Sequence, residues 1–280
     1  FRSIEVEKGP SLSRGVKSGV GGAVSIRTIE PDDLIPEGEN WSIEVNLKAA
    51  SNTKKPRNDP GSFYGKDYRD IPGAIRTNVN EVYFSDQDPR NKGNGELLNF
   101  DDHSGMIAIA GRNEYTDFLA SYSRREQGNY YAGKSSASRY SGHDPYDKSS
   151  TDIHFPNLTK LYHGGDEVFN TDSDIETTLL KNNWYLPNQQ KIGFQFMRTD
   201  MSFGETTPGN TLLNWALREG FEQANPDYDW SQYPRRVSER PRSEMKIDSY
   251  KLSYDFKPED SRWLNLETSL WHTKTTGLRY

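Results

Sequence analysis

Five histidines, His103, His143, His154, His163 and His272, are the side chains here best suited to hold a metal or move a proton near neutral pH. Of these, His143, His154 and His163 fall between residues 128 and 172, with Tyr130, Tyr131, Tyr140, Tyr146 and Tyr162 around them. Imidazole and phenolate both ligate haem iron, so such a segment could capture an iron porphyrin. The competing reading makes them solvated loop residues whose rings pack the loop on itself. A second cluster lies in residues 204–243, where Trp215, Phe221, Tyr228, Trp230 and Tyr233 alternate with Arg218, Arg235, Arg236, Arg240 and Arg242. Within it, Trp230, Arg235 and Arg236 could hold an anionic ligand by stacking and forked hydrogen bonds. The same surface would serve as a protein-docking hot spot, or as a self-packed loop with its arginines turned to lipid phosphates.

Other chemistries find less support. Asp102-His103 and His143-Asp144 suggest acid–base work, but no G-x-S-x-G nucleophile motif accompanies them. The protein is therefore expected not to be an enzyme. The pairs Asp86/Asp88, Asp144/Asp147, Asp172/Asp174 and Asp227/Asp229 could offer oxygens to calcium; none fits the EF-hand spacing, and solvated turns explain them better. Cysteine is absent, which removes disulfide frameworks and thiol catalysis. With 35 Lys and Arg against 41 Asp and Glu, the net charge of -6 argues against a nucleic-acid partner.

These residues need a scaffold, and the sequence describes one. Hydrophobic residues make up only 32%, yet aromatics reach 12%, a balance that favours an all-β protein over disorder. No apolar run is long enough for a spanning helix. From Trp41 onward, Trp41, Ile43, Val45, Leu47 and Ala49 alternate with Ser42, Glu44, Asn46 and Lys48. That period of two predicts a strand with one apolar and one polar face. Similar alternation predicts strands around Phe118–Tyr122, Tyr250–Phe256 and Leu264–Leu270, and less cleanly over 173–185 and 191–203. Residues 104–111 are apolar on both faces. Short polar turns near 111–114, 186–190 and 257–261 alternate with long polar segments, 53–102, 128–172 and 204–243. Short turns at one end and long loops at the other predict a transmembrane antiparallel β-barrel, of which about seven spanning strands lie here. The remaining strands are expected beyond residue 280.

The first residues carry a motif. Ile4-Glu5-Val6-Glu7-Lys8-Gly9-Pro10-Ser11, then Gly19-Val20-Gly21-Gly22-Ala23-Val24-Ser25-Ile26, resembles the end of the plug domain of TonB-dependent outer-membrane receptors. Gly9, Pro10, Gly19, Gly21 and Gly22 keep the pattern; Lys8 stands where Arg is more usual, and Arg14 where Tyr is often found. The resemblance implies a large plugged barrel of about 22 strands. It divides the chain into the plug end and linker (1–40) and the first part of the barrel (41–280). It implies a bacterial outer-membrane location, active transport of an iron-containing ligand, and energy supplied by an inner-membrane complex through TonB. Lipid and lipopolysaccharide would surround it, and charges such as Glu5, Arg14, Lys17 and Arg27 would pair plug with barrel. The continuation Arg27-Thr28 to Asp33-Leu34 is similar to the haem and haemophore receptor branch, which implies haem, or haem handed over by a carrier protein, as the transported ligand rather than a permanent cofactor. A ferric siderophore is the alternative. That branch holds one axial His in the plug; none lies in residues 1–40, so its ligand set is not carried over.

Overall fold

The computed structural model describes residues 3–9, 21–56, 67–70, 74–76, 82–87, 89–92, 99–135, 164–205, 237–239, 242–259, 261 and 263–279. Seven long strands dominate: β3 (Trp41–Ala50), β7 (Asp102–Arg112), β8 (Thr116–Gln127), β10 (Ser173–Leu186), β11 (Gln190–Phe203), β13 (Ser243–Phe256) and β14 (Leu266–Leu278). They form one seven-stranded antiparallel meander, each strand beside its neighbours in the chain. The seven expected strands are thus the strands observed, with bounds extended toward the long connections. Between β1 (Ser3–Lys8) and β2 (Gly22–Arg27) a separate antiparallel hairpin forms. Shorter strands β4 (Thr53–Lys54), β5 (Ala74–Arg76), β6 (Val82–Gln87), β9 (Asn129–Tyr130) and β12 (Val237–Glu239) occur within the long connections.

The tight turns share one end of the sheet. After β7, Asn113 Oδ1 accepts from the Tyr115 and Thr116 amides at 2.8 and 2.9 Å, an Asx turn that reverses the chain. Between β10 and β11, Asn188 and Gln189 take φ of 63° and 57°, the left-handed region that Asn tolerates better than most residues.

Register assigns every strand residue to a face, because cross-strand partners lie on the same side. One face is apolar from edge to edge. It carries Trp41 to Leu47 on β3, Ile107 and Ile109 on β7, and Phe118 and Tyr122 on β8. The band continues with Leu180 and Trp184 on β10, Phe194 and Phe196 on β11, Tyr250 and Leu252 on β13, and Leu270 on β14. All of these but the half-buried Phe196 are exposed, Trp41 at 63% and Leu47 at 78%. Along β10 the band from Thr178 to Leu186 measures roughly 26 Å, about 20 Å once strands tilt as barrel strands do. Toward the long connections the same face turns charged. Arg124 forks onto Asp174 at 3.1 and 2.7 Å, Arg198 onto Asp248 at 2.6 and 3.1 Å, and Lys246 approaches Asp200 at 3.1 Å.

The opposite face is more polar and carries one buried apolar patch. Ala108, Ala110, Leu119 and Leu179 are small or aliphatic there; Ala110, Leu119 and Leu179 form the buried cluster with Ile35. The segment expected to be a linker folds onto it. Pro31–Leu34 makes a one-turn helix, α1, and Ile29, Leu34, Ile35 and Met197 pack around the cluster. The apparently two-sided apolar run 104–111 is resolved by this arrangement: Ile107 and Ile109 lie on the exposed apolar face, whereas Ala108 and Ala110 are the floor under α1. The slipped phase in 191–203 also comes from apolar residues on both faces, and of these Met197 packs around the cluster under α1. Ile192, Phe194 and Phe196 face one way, Met197, Met201 and Phe203 the other.

Candidate functional site

At the end away from the tight turns, the long connections fasten to one another. β4 of the first pairs with β9 of the second, and β6 of the first pairs with both β5 and β12, which comes from the third. Isolated bridges join Asn91 to Asp166 and Tyr131 to Glu167. The centre of this clasp is an ion pair. Glu167 has no side-chain exposure, and Arg90 grips it through Nε at 2.6 Å and Nη2 at 2.5 Å. Asn129 Nδ2 adds a hydrogen bond to Glu167 Oε1 at 3.0 Å, and the Glu167 amide donates to the Arg90 carbonyl at 2.8 Å. A buried carboxylate is tolerated only with such company. Asn170 sits buried beside it at φ 60°, and Phe169, 2% exposed, fills the interior of the turn.

Tyr130 and Tyr131 are the two ligand candidates that lie in this clasp. The Tyr130 amide donates to Thr171 Oγ1 at 3.1 Å, and its carbonyl accepts from Val168 at 2.9 Å. Their backbone is therefore fixed, with the Tyr130 ring 44% exposed. The other candidates, His143, His154, His163, Tyr140, Trp230, Arg235 and Arg236, lie outside the described residues, as do Pro10 and Gly19 of the plug motif. His103 opens β7, its Nδ1 2.9 Å from the Phe100 carbonyl and its Nε2 3.7 Å from Glu126. His272 stacks on Tyr250 on the apolar face, ring centres 6.4 Å apart. No grouping of three metal-ligating side chains occurs among the described residues.

Sequence reasoning missed the anchors. Arg242, grouped with the aromatic–arginine cluster, instead pairs with Asp172, and so ties the start of β13 to the base of the preceding hairpin. Asp174 of the same aspartate pair is held by Arg124. Glu205 accepts from Ser243 Oγ at 2.8 Å and from Arg279 Nε at 2.9 Å. The hydroxyl hydrogen bond first, then Arg279, holds its carboxyl below the usual range against the opposing effect of burial. Only the sheet register brings these distant positions together.

At the opposite end, α1 is tied to the polar face. Lys181, nearly buried, pairs with Glu30. Arg112 donates to Asp32 Oδ1 at 3.0 Å and to the carbonyls of Pro36 and Glu39 at 3.1 Å each. Arg27, expected to reach the barrel, pairs within its own segment with Asp33, both contacts at 3.0 Å. Beneath α1, Asp117 receives Asn183 Nδ2 at 2.6 Å and the Tyr185 hydroxyl at 2.5 Å. At Gly22 φ is 133°, and a Cβ would meet the Glu7 carbonyl at 2.4 Å; this closely paired hairpin accepts only glycine there.

No protein-family model matches the chain. It is 33% identical over 279 residues, 99% of its length, to a segment of the "Hemophilin receptor" of Acinetobacter baumannii. The chain spans 24% of that relative's length. A shorter stretch, 65 residues or 23% of the chain, is 32% identical to part of "Lactoferrin-binding protein A" from two strains of Neisseria meningitidis, covering 7% of each. The relatives are named as receptors or binding proteins rather than enzymes.

Proposed function

We propose that this chain is the plug end (1–40) and the first seven strands (41–280) of a TonB-dependent receptor in the bacterial outer membrane. Its cargo is haem, delivered free or by a haem-carrying protein, and it performs no catalysis. The observation that carries the reading is the likeness to a hemophilin receptor along the whole chain. The sheet supports it physically. An apolar, exposed face and a polar face belong to a strand array between hydrocarbon and water. The charged ladder of Arg124, Asp174, Arg198 and Asp248 would then mark where the strands leave the hydrocarbon for the lipopolysaccharide layer.

The two ends divide the work. The clasp around Arg90 and Glu167 presents Tyr130 and Tyr131, and the connections that carry His143, His154, His163, Tyr140, Trp230, Arg235 and Arg236, to the cell exterior. At the other end, α1 lies on the lumen wall, held by Glu30–Lys181 and by Arg112. A pull by TonB on the plug would work against this attachment. A strain lacking the receptor gene and its own siderophores provides the test. With the full-length receptor restored, growth on haemin as iron source is expected, and collapse of the inner-membrane proton gradient should stop it. Growth on a ferric trihydroxamate but not on haemin would make the protein a siderophore receptor; growth on neither would remove the transport reading.

A further inference from the structure

One row of the polar face joins fixed cations to a soft apolar surface. Register sets Lys48, Ser104, Arg125, Ile175, Met201 and Met245 side by side across six strands. The chain has 4 methionines, and register puts all of them on this face, with Met106 and Met197 in the rows beneath. Polar side chains such as Ser123, Thr177, Thr199 and Ser249 fill much of the rest of this face, with Phe203, Ile247, Trp271 and the floor under α1 as its other apolar positions. A shallow open groove of about 260 Å³ lies at the cationic half of the row, lined by Asn46, Lys48, Ser104, Met106, Arg125 and Ile175. Among the described residues no carboxylate lies within ion-pair distance of Lys48 or Arg125; Arg125 donates to Gln127 Oε1 at 3.0 Å. Among the described residues, these two cations are left to a visiting anion.

We propose that this row is a binding station for a flat apolar ring bearing carboxylates, an iron porphyrin, on the inner wall. The proposal rests on the reading of this face as the lumen of a haem receptor and adds a site to it. Arg125 and Lys48 suit the ring's carboxylates. The backbone of Met201 lies two strands away, ~10 Å, which leaves the ring over Ile175, Met201 and Met245. Methionine side chains reshape around a ligand that must also leave, and thioether sulfur is a natural neighbour for haem iron.

The 280-residue chain has no cysteine, so single-cysteine labelling is clean over this region. The full-length receptor carrying Met245→Cys is treated with a thiol-reactive dye, with and without haemin, while wild-type receptor is titrated with haemin by absorbance. At haemin about ten times its dissociation constant, labelling should slow about tenfold. Haemin with both carboxylates esterified, or haemin with Lys48→Gln and Arg125→Gln added to the variant, should give no protection. A wild-type Soret shift with an unprotected thiol in the Met245→Cys receptor overturns the station and leaves the haem reading standing. Absence of any Soret shift overturns both. Failure to label even without haemin means that another protein segment covers this wall, and it also overturns the station. Met201→Cys provides the same readout should Met245→Cys not fold.

Discussion

Glu167 shows how much a single side chain can organise at the loop end. It has no exposure and takes three side-chain hydrogen bonds, two from Arg90 and one from Asn129. Glu167→Ala takes the carboxylate away from a partly buried guanidinium that keeps only weaker contacts such as the Lys55 carbonyl, so a local cost of about 3 kcal/mol is expected. The change should appear as faster amide exchange at Ala132 and Val168, whose amides close the clasp. Unchanged exchange there would mean that the pair is ornamental. Glu205 gives a pH dependence of known sign. Its carboxyl titrates below the ordinary range in the folded protein, so its contribution is present above the unfolded value. That contribution fades as pH falls through the lower, folded value. The tie from Glu205 to Ser243 and Arg279 should therefore loosen only under acid, read as proteolysis near residue 205 that rises at low pH in wild type and is already high in Glu205→Gln. Neither anchor was legible in the sequence, because Arg90 and Glu167 are 77 residues apart and only register makes them neighbours.

Strands were the most legible elements, for a plain reason. A period of two can be read along one strand without knowing its partner, as Trp41 to Leu47 and Tyr250 to Phe256 show. Where the sequence misled, both faces carried apolar residues. Ala108 and Ala110 face α1 rather than the exposed apolar face, and Met197, Met201 and Met245 lie on that same α1-bearing face. The stretch 30–40, rich in proline and acid, read as a linker because a one-turn helix leaves no periodic trace; its docking rests on Ile35, 5% exposed, and on Lys181. Ile35→Ala should cost about 2 kcal/mol of that docking, read as new protease cleavage between residues 28 and 40. Resistance equal to wild type would place the hold elsewhere. Leu252 sits between Phe194 and Leu270 in the middle of the outward band. Leu252→Arg should lower barrel stability by about 2–4 kcal/mol, whereas Ser253→Arg on the inner face should be far milder. Denaturant midpoints in lipid vesicles compare them, and equal midpoints would contradict the assignment of faces.

At the scale of the whole molecule, the hairpin rhythm carried more information about the sheet than any single side chain, and the ligand candidates carried least. Tyr130 and Tyr131 are fixed at the base of the loop cluster because Val168 and Thr171 hold their backbone. No spacing rule could reveal this, since the hydrogen bonds cross about forty residues of loop. Transport by such a sheet depends on one division of space: hydrocarbon on its apolar side, water on the other. Spin labels at successive β13 positions of the full-length receptor in lipid vesicles test that division most directly. Labels at Tyr250, Leu252 and Tyr254 should relax with oxygen, which concentrates in the bilayer, and ignore a water-soluble nickel chelate. Labels at Lys251 and Ser253 should show less oxygen and more nickel. If position 252 is shielded from both reagents, the apolar face is packed against protein, and the barrel account is contradicted.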